Sequence, residues 1–236
     1  MTYLVMRMIR NELRWVGDFV ALGPGSFTMG AGAEDRFATS SEFPRRRIEI
    51  GHQFAIAVFP LTEAQWNFQN LDGLPRVGIS WHDIEIWLQR ARDKSGLPLR
   101  FPSEAEWEFA ARAHCEGGFP NGGTICPSEA NFLHDDGKGK VGPGRLTARG
   151  TYPPNSFGIE DMLGNVAEWV ADHWWPDLAR VPKSGKAFQE FQSDSRVVRS
   201  AGWDALPRLL RLSARHPLSI GRAQDNLGFR LAYDLL

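Results

Sequence analysis

Two segments of the chain repeat apolar residues with the period of an α-helix. Between Ser80 and Gly96, apolar side chains recur every three or four positions, and the pattern stops at a glycine, as helices commonly do. After Ser103, a tryptophan and two alanines form a second stripe, whose small side chains predict close packing against another element. Both segments, and a third that begins at Thr62, start with a hydroxyl residue followed three positions later by an acidic or amide residue, which predicts a capped helix start.

Extended segments are indicated on either side of these helices. Apolar residues dominate positions 48–58 up to Pro60, and four large apolar residues alternate with small or polar ones over positions 227–233, which predicts a half-buried strand. Positions 115–154 are rich in glycine and proline and show no sustained period. A segment of this length without regular structure needs something to hold it in place, and a bound ion is one candidate.

The composition is that of a globular domain with many turns. Of its 236 residues, 42% are hydrophobic and 23% charged, which are ordinary values for a chain that buries its own core. Nine tryptophans, 24 glycines and 15 prolines predict turns and loops packed on large flat side chains. Since no repeat or linker divides the chain, we expect one domain over residues 20–236, with an N-terminal extension, residues 1–19, that packs on it.

The charge and the length of the apolar runs argue against two classes of partner. The formal net charge is −1, whereas nucleic-acid binders normally carry a basic excess. No apolar stretch approaches the ~20 residues that span a membrane, and residues 1–14 lack the apolar core of a signal peptide. The two cysteines, Cys115 and Cys126, lack the spacing of a zinc site. We therefore expect no nucleic acid, no membrane and a cytoplasmic location, and the sequence leaves open whether the two cysteines are free thiols or a pair.

Six short motifs follow one another along the chain. They are GSFTMG at 25–30, PLTEAQW at 60–66, ISWHD at 79–83, RFPSEAEWEFAAR at 100–112, NSFGIEDMLGNVAEW at 155–169 and NLGFR at 226–230. In this order they resemble the formylglycine-generating enzyme (sulfatase-modifying factor) family. The resemblance implies an irregular α+β fold related to C-type lectins, with little regular secondary structure.

The resemblance also implies a bound calcium ion. In the family, one loop binds Ca²⁺ through a carboxylate or amide, two backbone carbonyls and a glutamate, which here correspond to Asp161, the carbonyls of Gly164 and Val166, and Glu168. The residue types suit this role, since two acids flank a glycine turn that can aim carbonyls inward, and Ca²⁺ prefers oxygen ligands. The alternative is that both acids are capping or solvated groups.

A second calcium site of the family would fall earlier in the chain. Its ligands would be Asn131 and the carbonyl of Phe132, with Asp136 and the carbonyl of Lys138 as partners. The resemblance implies this site on a loop that is shorter here than in the family.

The C-terminal region departs from the family where its oxidation chemistry takes place. Active members hold Cu(I) between two cysteines five residues apart, and Cu(I) prefers soft sulfur ligands. Counting back from the closing motif, these positions are occupied by Pro207 and Leu212, while Cys115 and Cys126 lie in a central loop. We therefore expect no copper, no catalytic residues of the family type and no formylglycine synthesis by the family mechanism.

Five residues of the same region would line the pocket that holds peptide in the family. They are Trp203, Arg208, Arg211, Arg215 and His216. Because arginine offers paired donors and tryptophan a stacking face, we expect a peptide or a small anionic or aromatic ligand. The alternative is that the arginines belong to surface ion pairs.

Two functions from different classes remain open. We favour a ligand-binding or accessory module that uses the C-terminal region. The alternative is a cysteine-independent oxidoreductase or maturation enzyme, acting on a peptide-like or siderophore-like substrate, as the resemblance to relatives in siderophore maturation implies. In that case a carboxylate or His216 would be the general base.

Overall fold

Two four-stranded sheets and three α-helices provide most of the regular structure in this computed structural model, which describes residues 5–6, 11–70, 73–190 and 192–235. The strands are β1 (Val5–Met6), β2 (Phe19–Leu22), β3 (Gly25–Met29), β4 (Arg46–Ile50), β5 (Phe54–Ala57), β6 (His134–Asp135), β7 (Lys140–Val141), β8 (Ala167–His173), β9 (Ser195–Arg199), β10 (Arg215–Ser219), β11 (Leu227–Phe229) and β12 (Ala232–Asp234). The helices are α1 (Glu63–Trp66), α2 (Trp81–Ser95) and α3 (Glu104–Arg112). Short 3-10 turns cover Asn11–Val16, Ser40–Glu42 and Pro207–Leu209.

The two larger sheets differ in how their strands run. The first has the order β1-β2-β5-β12 and is antiparallel throughout. The second has the order β10-β9-β8-β11, in which β11 runs parallel to β8 and the other pairs are antiparallel. The pairs β3-β4 and β6-β7 form two further antiparallel ribbons. Strand β10 is therefore an edge strand, and it places Pro217 opposite Val197 of β9.

The described part of the expected N-terminal extension belongs to the first sheet and the core. Strand β1 pairs with β2, and Trp15 and Val16 are buried. The ring of Trp15 meets that of Phe68 edge-on, with the centroids 4.9 Å apart. The rest of residues 1–14, positions 1–4 and 7–10, lies outside the described residues.

The predicted capped helix starts at Thr62, Ser80 and Ser103 are confirmed. In each case the hydroxyl accepts a hydrogen bond from the backbone N–H three residues on, and the side chain of that residue accepts one from the N–H of the capping residue. Helix α2 ends at Gly96, which takes a left-handed conformation with φ of 70°. None of the helices in the described ranges is long and apolar enough to cross a bilayer.

Stacked aromatic rings form the core beneath α2. The ring of Trp87 lies between those of Trp66 and Phe68, nearly parallel to both, at centroid distances of 5.4 and 5.6 Å. The indole N–H of Trp87 donates to the carbonyl of Trp66 at 2.8 Å. The tryptophan-rich packing expected from the composition thus joins α1 to α2.

Helix α3 is buried over its whole length, including its three glutamates. Burial of a carboxylate is unfavourable unless a cation and hydrogen bonds compensate for the lost water. Each glutamate meets this requirement with arginine partners, which are Arg199 and Arg215 for Glu104, Arg100 for Glu106, and Arg112 and Arg199 for Glu108. The position of α3 therefore depends on arginines from other parts of the chain.

Arg199 of β9 joins two of these glutamates. Its Nη1 donates to Glu104 and its Nη2 to Glu108, both at 2.8 Å, and all three side chains are fully buried. Burial opposes the ionisation of Glu104, but Arg215 and Arg199 outweigh it and hold the pKa of that carboxyl below its usual value. Glu104 is therefore ionised at neutral pH, and charge ties β9 to α3.

The prediction of one half-buried strand over residues 227–233 is wrong. The structure has two short strands there, β11 and β12, which belong to different sheets, and both faces are buried. Arg230, at a polar position of the alternation, is fully buried and donates to both oxygens of Glu168 at 2.7 Å. Because a buried carboxylate neutralises it, this arginine does not need to face solvent. The extended segment predicted at 48–58 is likewise divided, between β4 and β5.

Replacement of Arg199 by methionine keeps much of the side-chain volume but removes a buried partner from Glu104 and Glu108. We expect the free energy of unfolding, measured by urea denaturation, to fall by about 3–5 kcal/mol. Arg45 provides the matched control because its pair with Glu116 is partly exposed. Arg45→Met should lower the free energy of unfolding by less than about 1 kcal/mol. Small and equal losses in the two variants would contradict the role given to Arg199.

Candidate functional site

A pocket of about 370 Å³ opens beside the second sheet, in the region that was expected to bind a ligand. We call it the C-terminal pocket and define it by its lining residues, Ala167, Val198, Ser200, Ala201, Gly202, Asp204, Ala205, Leu209, His216, Pro217, Leu218, Gln224 and Asn226. They come from β8, β9 and β10 and from the loops that precede and follow them. Most are small or apolar, so the pocket offers a mixed wall with few charged groups.

One of the five residues expected to line this pocket, His216, does so. Trp203 is partly buried beside it, and its backbone N–H donates to the carbonyl of Asn165 at 3.0 Å. Arg208 is exposed in the 3-10 turn that ends at Leu209. Neither Trp203 nor Arg208 belongs to the wall that the described residues form.

The expectation that Arg211 and Arg215 face a ligand is corrected by the structure. Arg211 is buried and donates to the two oxygens of Glu42 at 2.6 and 2.8 Å, and to Asp35 at 2.9 Å. Arg215 is also buried and donates to the two oxygens of Glu104 at 2.7 and 2.8 Å. Both arginines are in ion pairs, but inside the protein rather than on its surface. Their donors are therefore not available to an anionic ligand.

Sequence reasoning missed the polar group formed by Asp204 and Asn226. The side-chain amide of Asn226 donates to Asp204 at 2.8 Å, and its Oδ1 is buried with no hydrogen-bond partner among the described atoms. Gly202 packs against the same side chain, since a Cβ there would lie 2.5 Å from the Cβ of Asn226. Asn226 is the first residue of the last of the six motifs, so the sequence indicated this residue. The motif does not show that Asp204 accepts its hydrogen bond.

His216 is the titratable base of the C-terminal pocket. It lies on β10 opposite Val198. Burial, followed by the positive charge of Arg199, lowers its pKa below the usual 6.5. The imidazole is therefore unprotonated at neutral pH and can accept a hydrogen bond or a proton.

The positions expected to replace the copper cysteines are structural. Leu212 is fully buried, and its backbone N–H donates to the carbonyl of Gly118 at 2.8 Å. Pro207 begins a 3-10 turn. The thiol of Cys115 donates to the carbonyl of Phe119 and lines a separate pocket of about 260 Å³, and Cys126 is exposed. Both cysteines are free thiols, and neither lines the C-terminal pocket.

In the loop expected to bind the first calcium ion, Glu168 does not fit as a metal ligand. Its two oxygens accept hydrogen bonds from Arg230, and Oε2 also accepts one from the indole of Trp107 at 2.8 Å. The carbonyl of Gly164 is also engaged, because it accepts from the N–H of Val166 at 2.8 Å. This carboxylate is already neutralised by an internal cation.

Asp161 differs from Glu168 because its charge is not matched in the same way. Its Oδ2 accepts from the amide of Asn165 at 2.6 Å, and burial raises its pKa to about 7. A nearby cation would favour the ionised form of this carboxyl. Asp161 alone among the first set of expected ligands therefore has a side chain that fits a metal ion.

The second set of expected calcium ligands fits better around Asn131. Its side chain is fully buried, Nδ2 donates to Oδ1 of Asn165 at 3.1 Å, and Oδ1 has no partner among the described atoms. A buried, unsatisfied oxygen is the kind of group that a hard cation satisfies. Gly142 lies close to the carbonyl of Phe132, since a Cβ on Gly142 would be 2.6 Å from that oxygen. Asp136 is exposed in the turn between β6 and β7 and accepts from the N–H of Lys138.

A further cluster joins His52, Glu106 and Asp234. His52 Nε2 lies 2.9 Å from Glu106 and 3.9 Å from Asp234. These three side chains could surround a metal ion by distance alone. The guanidinium of Arg100 already contacts both acids, so the cluster is neutralised without one.

Comparisons with known proteins give one consistent family. The family model described as "Sulfatase-modifying factor enzyme 1-like domain" matches residues 65–235. The chain is 33% identical over 170 residues to the serine/threonine-protein kinase pkn1 of Chlamydia pneumoniae, covering 68% of this chain and 24% of that protein. It is also 33% identical over 172 residues to the inactive C-alpha-formylglycine-generating enzyme 2 of Mus musculus, covering 67% of this chain and 49% of that protein.

A solved structure agrees over the whole chain. PvdO from Pseudomonas aeruginosa has a TM-score of 0.87 and 25% sequence identity, covering 100% of this chain and 99% of that one. The curated relatives are longer, and the chain spans between a quarter and a half of their length. These findings confirm the family resemblance and the irregular α+β, C-type-lectin-like fold predicted from the sequence.

The lowered pKa of His216 predicts a loss of stability at acid pH. Unfolded His216 takes up a proton near pH 6.5, whereas folded His216 does so at lower pH, so the unfolded state binds more protons just below 6.5 and the free energy of unfolding falls there. His216→Gln should remove this part of the decrease, which is at most about 1.4 kcal/mol per pH unit. Denaturation at pH 5, 6, 7 and 8 measures it.

Wild type and His216→Gln must be compared because other groups titrate in the same pH range. Their effect on the free energy of unfolding has the opposite sign. Burial raises the pKa of Asp161 and of Asp172 to about 7, and protonation of these acids favours the folded state as the pH falls. Their contribution cancels between wild type and His216→Gln. Parallel curves for the two proteins would show that His216 has its ordinary pKa in the folded state.

Proposed function

The chain belongs to the sulfatase-modifying factor enzyme 1-like family, and from this premise we propose that it is a divergent, ligand-binding member. It does not make formylglycine by the copper-dependent route of the active enzymes. It binds a peptide or a small ligand in the C-terminal pocket, by itself or as an accessory module of a larger protein. The observation that carries this proposal is a pocket whose wall contains no sulfur among its described residues.

The argument against copper rests on ligand chemistry. Cu(I) is a soft ion that prefers thiolate and thioether ligands, and the carboxylate, amide and imidazole groups of this wall do not reproduce a pair of thiolates. Both cysteines of the chain are held elsewhere, Cys115 by the carbonyl of Phe119 and Cys126 at the surface. The mouse relative that is named an inactive formylglycine-generating enzyme supports the same interpretation.

The shape and lining of the C-terminal pocket support ligand binding. A volume of about 370 Å³ lies within the range of small-molecule sites. Leu209 and Leu218 offer apolar contacts, while Gln224 and Asn226 offer amide donors and acceptors. This combination suits a ligand that has apolar side groups on a hydrogen-bonding backbone, as a peptide does.

A cysteine-independent maturation enzyme is the second candidate, and His216 favours it. The imidazole lines the pocket and is unprotonated at neutral pH, as a general base must be. We propose a peptide-like or siderophore-like substrate for this alternative. Aerobic incubation with candidate substrates, followed by mass spectrometry, distinguishes the two functions. Loss of two hydrogens or gain of one oxygen would establish the enzyme.

We propose that calcium has a structural role near Asn131. The side-chain oxygen of Asn131 and the carbonyl of Phe132 would hold the ion, with Asp136 as the acidic partner. Asp161 lies close enough to share the network through Asn165, which contacts both Asn131 and Asp161. A bound ion would hold the long irregular loop against the core.

A side chain that fills the C-terminal pocket should weaken binding. The probe is the neutral peptide acetyl-leucyl-norleucine amide, with affinity measured by isothermal titration calorimetry. Ala205 lines the wall and is partly buried, so the ring introduced by Ala205→Trp should weaken binding about ten-fold or more. Arg208→Ala, outside the wall, is the matched control and should bind like the wild type.

Two further results would count against a binding function of this pocket. If wild type does not bind the probe, the pocket is not a peptide site. If Ala205→Trp binds as well as wild type while it keeps a cooperative thermal transition, the peptide sits elsewhere.

Removal of calcium should lower the melting temperature, and added Ca²⁺ should restore it, because an ion that binds the folded state stabilises it. Differential scanning calorimetry with a chelator and with excess Ca²⁺ measures the shift. The Asn131 site predicts that Asp136→Asn loses the calcium response and that Asp161→Asn keeps it. The reverse pattern would move the ion to the Asp161 loop, and an unchanged melting temperature in wild type would rule calcium out.

A further inference from the structure

The formal charge of the C-terminal pocket differs from the charge of the sequence around it. The segment from 208 to 215 contains three arginines, which predicts a basic site. Two of these, Arg211 and Arg215, are buried against carboxylates, and Arg208 is exposed outside the wall. Among the described residues that line the pocket, Asp204 is the one acidic residue, and none is a lysine or an arginine.

The carboxylate of Asp204 is fixed beside a second acceptor. One of its oxygens accepts from the side-chain amide of Asn226 at 2.8 Å, and Oδ1 of the same amide is buried without a donor. Asp204 itself is exposed, so its carboxylate can be reached by a ligand. An ammonium group carries three N–H donors and no acceptor, so it suits this exposed carboxylate, which the amide of Asn226 holds in place.

The rest of the wall suits an aliphatic chain. Val198, Leu209 and Leu218 line the pocket with apolar side chains. A primary amine on an aliphatic stem, such as the lysine side chain, buries its methylene groups on an apolar surface and keeps its charged end in a polar setting. The wall thus pairs an apolar surface with one acidic corner.

We infer that the C-terminal pocket selects a ligand with a cationic amino group on an aliphatic chain, bound through Asp204, whose carboxylate Asn226 positions. This inference rests on the proposed ligand-binding function and specifies its ligand class. It replaces the anionic ligand expected from the arginines of the sequence. The amine can come from a lysine side chain of a peptide or from a free alkylamine, which share this chemistry.

Three blocked dipeptides of nearly equal size test the inference by calorimetry. They are acetyl-leucyl-lysine amide, acetyl-leucyl-norleucine amide and acetyl-leucyl-glutamate amide, with charges of about +1, 0 and −1 at neutral pH. At low salt, wild type should bind the lysine peptide about five-fold tighter than the norleucine peptide, the effect of one contact between solvated charges. The glutamate peptide should bind weakest, and the lysine preference should shrink as salt is added.

The matched variants are Asp204→Asn and Asp225→Asn. Both remove one exposed acid, but Asp225 does not line the pocket. Asp204→Asn should bind the lysine and norleucine peptides equally. Asp225→Asn should keep the lysine preference. An n-pentylamine titration then separates the sources, since affinity equal to that of the lysine peptide would identify a free amine.

The outcomes separate this inference from the proposed function. If norleucine peptide binds but the lysine peptide binds no tighter, the cation preference is refuted and the binding pocket stands. If the lysine preference survives in Asp204→Asn, its assignment to Asp204 is refuted while the binding pocket stands. If none of the three peptides binds wild type, the proposed function fails, and the inference fails with it.

Discussion

Helix α3 can be buried because arginines from distant parts of the chain neutralise its glutamates. Glu104 and Glu108 are fully buried, and Arg199 binds both, while Arg215 also binds Glu104. A single unpaired carboxylate at this depth would cost several kcal/mol, so the network must form as a unit. The same contacts connect α3 to β9 and β10, the two strands that contribute Val198, His216, Pro217 and Leu218 to the C-terminal pocket.

The network also decides what the pocket offers to a ligand. An arginine that is bonded at both ends of its guanidinium has no donor left for an incoming anion. The donors of Arg211 and Arg215 are occupied in this way by Glu42 and Glu104. The pocket is therefore lined by neutral and apolar groups plus Asp204, although the surrounding sequence is basic.

Local interactions could be predicted from the sequence, and contacts between distant segments could not. The three capped helix starts depend on residues three positions apart, so the pattern contains the whole interaction. The motif order was sufficient for the family and the fold. The alternation at 227–233 did not show that Arg230 would find Glu168, 62 positions away, and so the solvent-facing side was predicted wrongly. The partners of Arg211 and Arg215 are more than 100 positions away, and the sequence reveals the arginines but not the glutamates they meet.

The edge strand β10 carries Pro217 in the wall of the C-terminal pocket. Proline has no backbone N–H and is tolerated in an edge strand where that position faces outward. An extended peptide that added to the sheet along β10 would therefore find no backbone N–H donor at Pro217, and its ladder of main-chain hydrogen bonds would be interrupted there. Recognition of the proposed ligand would then come from side-chain groups such as Asp204, Gln224 and Asn226, so the ligand preference could change with a few substitutions while the sheet beneath stays intact.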